Sequence, residues 1–179
     1  AKYEVTGDDA FTFLERVCAN RVPAKSGGVV LSQMLTTLGG IESEATVTRL
    51  AKDHYYLLSG AVAELHDFDW LVQHIGPGED VTVRNITDDF GVLVVTGPQS
   101  REVLAALTDA GLANEDGFTW MSAQEITVAG IDLRALRVSY VGELGWELHC
   151  PMEKLSELDD ALMQAGQAHG IRRFGTYAM

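Results

Sequence analysis

The chain repeats itself at a spacing of 90 residues, and no other feature restricts its fold as much. Val5-Thr6-Gly7 returns as Val95-Thr96-Gly97, and an amphipathic helix follows each copy. Leu14 and Val17 on the first helix correspond to Leu104 and Leu107 on the second. Asp8 and Asp9 suit the first helix N-terminus and Pro98 the second. Gly40-Ile41 returns as Gly130-Ile131, and each pair opens a strand, Ala45 to Leu50 and Ala135 to Tyr140. A further strand follows in both copies, Tyr55 to Ser59 and Gly145 to His149. Each copy then enters a helix, around Glu64 to His74 and around Lys154 to Ala168. One matching tripeptide could arise by chance, but a whole series in the same order could not. The pattern predicts an α+β fold of two related strand–helix–strands–helix halves. Its hairpins argue against a purely parallel, doubly wound sheet. Gly76-Pro77-Gly78 is the natural seam, so the expected halves are residues 1–78 and 79–179. Duplicated folds often hold a ligand where their halves meet.

The positions that break the repeat are informative. Glu147 stands 90 residues after Leu57, and Glu44 stands 90 residues before Arg134. Each carboxylate is present in one copy only. That is the pattern expected if chemistry were added to a duplicated frame, although drift on exposed strand faces would look the same.

Glu147 lies in Ser139–Pro151, SYVGELGWELHCP, where one strand ends at Ser139-Tyr140, glycines turn the chain and a second strand begins at Trp146. Side chains alternate along a strand, so Trp146, Leu148 and Cys150 share one face while Glu147 and His149 share the other. A carboxylate fixed beside a glycine-rich hairpin can read a flat heterocycle by accepting two parallel N–H bonds. The plainer reading is a strand residue facing solvent.

Composition narrows the partners. A net charge of −13 disfavours sequence-independent nucleic-acid binding, which needs Lys and Arg against phosphates. It equally disfavours an anionic membrane surface. No apolar run approaches the ~20 residues of a membrane span, and no signal peptide is visible. Cys18 and Cys150 are far apart and have no metal-ligand spacing, which fits a reducing cytoplasmic or mitochondrial compartment. The chain opens at Ala1 without an initiator Met and stops at Met179, as a piece cut from a longer protein at both ends would. A strand lost at such an end leaves an unpaired sheet edge, so the fragment is expected to be capable of dimerising.

Three segments carry a family resemblance. Gly39–Leu50, GGIESEATVTRL, resembles the glycine-cleavage T-protein (aminomethyltransferase) family, and its TVTRL ending is similar to the folate-binding region of dimethylglycine and sarcosine dehydrogenases and oxidases. VLVVTGPQSREVL, residues 92–104, and SYVGELGWELHCP follow in the family's order, and the resemblance spans essentially the whole chain. It implies an internally duplicated folate-binding domain and a tetrahydrofolate-dependent one-carbon transferase. In the dehydrogenase relatives a separate flavin (FAD) domain oxidises an N-methylated amino acid, and the folate domain captures the iminium carbon as 5,10-methylenetetrahydrofolate. This chain has no GxGxxG after a strand, so the flavin oxidoreductase domain is expected elsewhere in the parent. The partners implied are folate, a small amine donor and that flavin domain.

By the same resemblance, Glu147 matches the glutamate that binds the pterin ring, and its two oxygens suit the ring N3–H and 2-amino group. Tyr140 matches an aromatic lining the pterin pocket, although Leu136, Val138 and Tyr140 would share a strand face and could simply be core. Glu44 matches a catalytic position where the family usually has an aspartate beside the reacting folate nitrogens. The added methylene displaces the charge, and misplacement on the ångström scale can cost much of a rate gained by orientation. An alternative is therefore a non-catalytic folate-binding or regulatory module of the same fold. A relative working in iron–sulfur or RNA maintenance fits the GELGWE run and the acidic composition less well.

Overall fold

The computed structural model describes residues 1–112 and 117–175, which form two compact units, Ala1–Thr87 and Asp88–Met179. The first unit contains β1 (Lys2–Thr6), α1 (Ala10–Val17), β2 (Val29–Leu35), β3 (Ile41–Ala51), β4 (His54–Ser59), α2 (Glu64–Gln73) and β5 (Thr82–Asn85). The second contains β6 (Phe90–Thr96), α3 (Ser100–Ala105), β7 (Ser122–Val128), β8 (Ile131–Arg137), β9 (Gly145–Pro151) and α4 (Leu155–Ala165).

The sheets have the same topology. The first runs β2-β3-β4-β1-β5 and the second β7-β8-β9-β6, every described pairing antiparallel. Deleting β5 from the first leaves the order of the second. This is the α+β architecture that the repeat predicts, with antiparallel hairpins throughout. The first unit ends at Thr87 rather than at Gly78, because β5 adds to the free side of β1.

Each sheet buries one face against its own helices. In the first unit Tyr3, Val5, Tyr55 and Leu57 of the sheet meet Phe13, Leu14 and Leu71 of the helices. In the second, Trp146, Leu148 and Cys150 of β9 meet Val103, Leu104, Leu158 and Leu162. Each fully buried side chain of this size contributes about 1.5–3 kcal/mol. The backbone that follows β1 and β6 is also repeated. Gly7 and Gly97 have φ of 125° and 122°, and their carbonyls accept from Ala10 N and Ser100 N at 3.0 Å each. Between β7 and β8, Ala129 and Gly130 both have positive φ, as a two-residue hairpin turn requires.

Several details depart from the sequence expectation. β8 ends at Arg137, whose carbonyl accepts from Met121 N at 3.0 Å, so Ser139 and Tyr140 lie in the following loop rather than on a strand. Tyr140 is 85% exposed, which removes the core-packing reading. Pro98 precedes α3 instead of opening it, and α4 stops at Ala165. The equivalence of Glu147 with Leu57 also changes. Val5 pairs with Tyr55, and its repeat-mate Val95 pairs with Trp146, so β9 is displaced by 91 residues from β4. Glu147 therefore takes the place of Tyr56. The longer connection before β9 accounts for the extra residue.

Candidate functional site

β9 is an inner strand, so Glu147 is flanked on both sides, by Val94 of β6 and Leu136 of β8. Trp146 and Leu148 are fully buried in the helix-side core and fix the orientation of the strand. Glu147 consequently projects from the opposite face, where its side chain keeps 28% of its exposure. Gly145 admits the close approach of β6: a Cβ there would lie 2.9 Å from the Val95 carbonyl oxygen.

His149, two residues on and on the same face, is 1% exposed and places Nε2 3.2 Å from Glu147 Oε2. Across the ladder from His149 stands Arg134, whose Nε donates to Glu125 Oε1 at 2.7 Å. The buried imidazole ties down one oxygen of Glu147, and the carboxylate as a whole remains reachable. Such a group is suited to accept paired N–H bonds from a planar ligand. The i, i+2 spacing of Glu147 and His149 was the signal for this pairing, since alternate strand residues share a face.

Tyr140 belongs to the loop that joins β8 to β9 and precedes Gly142, whose φ is 83°. Glu44 is on β3 of the first unit, on the face opposite the core residues Ala45 and Val47. It is exposed and directly opposite Gln33 of β2, whose Nε2 donates to Glu44 Oε2 at 2.8 Å. Glu44 thus belongs to one unit, and Glu147 and Tyr140 to the other.

A second polar cluster was not foreseen. His66 of α2 holds Nε2 2.7 Å from Glu42 Oε1 and Nδ1 3.0 Å from Asp67 Oδ1. Hydrogen bonds first to Asp67 and then to Glu42 raise its pKa above the ordinary 6.5. Nothing in the sequence repeat marks this cluster. The two thiols are buried, and desolvation raises both pKa values, that of Cys18 to about 11. Thiols held protonated in this way are poor nucleophiles and poor metal ligands.

Two antiparallel sheets of one repeated topology, each packed against its own helices, define the class. The sequence profile of the GCVT N-terminal domain matches residues 1–179, and the chain belongs to that family. Among individual proteins, it is 42% identical to human mitochondrial dimethylglycine dehydrogenase over 99% of its own length and 20% of that protein's. It is 33% identical to mouse mitochondrial sarcosine dehydrogenase, again over 99% of this chain and 21% of that protein. The crystal structure of the glycine cleavage system aminomethyltransferase T from Bartonella henselae matches with a TM-score of 0.77 and 28% identity, covering 90% of this chain and 42% of that one. The chain therefore spans about a fifth of the length of these two dehydrogenases.

Proposed function

We propose that this domain binds the pterin of a reduced folate through Glu147 and serves in the transfer of a one-carbon unit to tetrahydrofolate. The observation that carries this reading is the setting of Glu147: a charged group on an inner strand, backed by buried His149, with its carboxylate still reachable. Two parallel bonds from the pterin N3–H and 2-amino group would use both carboxylate oxygens. Analogues lacking those donors would be disfavoured, because a partly buried acceptor would lose its partner. The donor class follows from the family members. Kinship with dimethylglycine and sarcosine dehydrogenases supports an N-methylated amino acid whose oxidised methyl carbon passes to the folate. In that case a flavin domain of the same protein performs the oxidation. Two relatives named mitochondrial support a mitochondrial-matrix location. Tyr140, exposed in the loop before β9, would line the pterin edge.

The test is equilibrium binding of tetrahydrofolate to the full-length protein and to Glu147→Ala. Loss of the charged hydrogen bonds should weaken binding by roughly tenfold or more. Unchanged affinity in the variant would remove Glu147 from the site.

A second reading rests on Glu44. Its carboxylate is exposed and engaged by Gln33, one methylene longer than the aspartate expected in the family. This favours a module that binds folate without efficient turnover. Glu44→Asp should then greatly increase formation of methylenetetrahydrofolate, whereas an unchanged rate would count against lost catalysis.

A further inference from the structure

β1 and β6 are equivalent strands with different outer edges. On β1, Gly7 N donates to the Asp53 carbonyl at 3.1 Å on the β4 side, and Ile86 N donates to the Lys2 carbonyl at 2.9 Å on the β5 side. Antiparallel bonding alternates, so the backbone groups of Glu4 and Thr6 face Arg84 and Thr82 of β5. On β6, Gly97 N donates to the Leu144 carbonyl at 2.8 Å, and Met152 N donates to the Asp89 carbonyl at 3.0 Å. By the same alternation Leu93 and Val95 bond to β9, while Val92, Val94 and Thr96 turn their backbone groups outward. Among the described residues, no strand pairs with that edge.

A cleft of about 390 Å³ lies there, with Val92–Thr96 along one wall and Ile171–Gly175 along the other. The second wall follows α4 and runs beside β6, as β5 follows α2 and runs beside β1. Two of its side chains are already anchored as their counterparts are. Ile171 packs against the second core as Val81 packs against the first. Arg173 faces α4, where its Nε donates to Asp159 Oδ2 at 3.0 Å, and its counterpart Val83 packs on the helix side of the first sheet. The glycines give independent support. A Cβ on Gly7 would lie 1.9 Å from the Asp80 carbonyl oxygen, whereas one on Gly97 would meet nothing within 4 Å. The conformation of Gly97 is therefore kept, and the close approach that needs glycine is not made.

We infer that Arg172–Gly175 closes onto β6 as the fifth strand of the second sheet, with Arg172 pairing to Thr96 and Phe174 to Val94. Closure converts the exposed edge into a paired one, as β5 does for β1. It also places Phe174 beside Val94, which lies directly opposite Glu147. The face that carries Glu147 thereby gains an aromatic rim.

Amide hydrogen exchange in the full-length protein tests the pairing. In the closed form the Val94 and Thr96 amides exchange slowly, and Phe174→Pro speeds both by roughly tenfold or more. Leu93 and Val95 stay protected in that variant and report that the sheet is intact. Free exchange at Val94 and Thr96 in the unaltered protein would overturn the inference. So would protection that ignores Phe174→Pro, or that fades on dilution, because something other than this segment would then cover the edge. Should Phe174→Pro fail to fold, Val94→Cys combined with Phe174→Cys gives a second test. Residues paired in this way sit about 5.5 Å apart at Cα, within disulfide range. Ready oxidation to an intramolecular 94–174 bond supports closure; failure to oxidise overturns it.

Discussion

Tyr56 and Glu147 occupy the same place in the two sheets and have opposite character. Each is on the face turned from the helices, between core residues of matching position: Tyr55 and Leu57 in one unit, Trp146 and Leu148 in the other. Tyr56 is fully buried, whereas Glu147 keeps a charged, partly exposed carboxylate. The helix-facing positions of the repeat remain apolar in both units because each must fill a core. The opposite face is buried at Thr48 and Tyr56 in the first unit and at Leu136 and His149 in the second, and there the residue types have diverged. Frame and chemistry are separated by strand alternation.

The largest effect is expected on the frame. Trp146→Ala removes the largest fully buried side chain and should destabilise the protein by about 3–5 kcal/mol in denaturant unfolding. A loss below ~1 kcal/mol would mean that the second core is not organised around β9 as described. Glycine substitution sharpens the contrast between units at a smaller scale. Both Gly7 and Gly97 have positive φ, so alanine at either should cost about 1–3 kcal/mol in backbone strain. With the edge of β6 open, Gly7→Ala should cost distinctly more, since the new Cβ collides with the Asp80 carbonyl while one on Gly97 meets nothing. Equal losses in thermal unfolding would show that the two sites are equally crowded, as strand closure in the second unit would make them.

The smallest effect concerns His66, found only in the first unit. Its folded-state pKa is raised by Asp67 and Glu42, so protonation favours the folded state. That contribution is fully present below 6.5 and disappears as pH rises through the higher folded value. Unfolding midpoints measured across this window should fall for the unaltered protein relative to His66→Gln. Parallel curves would remove the imidazole from the pH response.

Much of the frame was legible because it is repeated. The tripeptides around Gly7 and Gly97 and the glycine–isoleucine pairs that open β3 and β8 recur at 90 residues, and the two long helices follow at 91. Legibility failed where the copies differ in length. β2 and β7 follow connections of unequal length, so no common offset marks them, and β5 has no described partner strand in the second unit. One additional residue before β9 breaks the register, which hid the equivalence of Glu147 with Tyr56 and made Tyr140 look like a strand residue. Glu147 itself was visible as the carboxylate out of phase with Trp146 and Leu148. The pairing of Glu44 with Gln33 was not, because it depends on the register of β2 against β3.

Recognition of a pterin by Glu147 is the proposal on which the functional reading rests. The most direct measurement compares the affinity of the full-length protein for tetrahydrofolate with that for an analogue lacking the 2-amino group, before and after Glu147→Gln. The unaltered protein should prefer tetrahydrofolate by roughly tenfold or more, and the variant should lose most of that preference. Equal discrimination by both proteins would contradict the account and place pterin recognition on other residues.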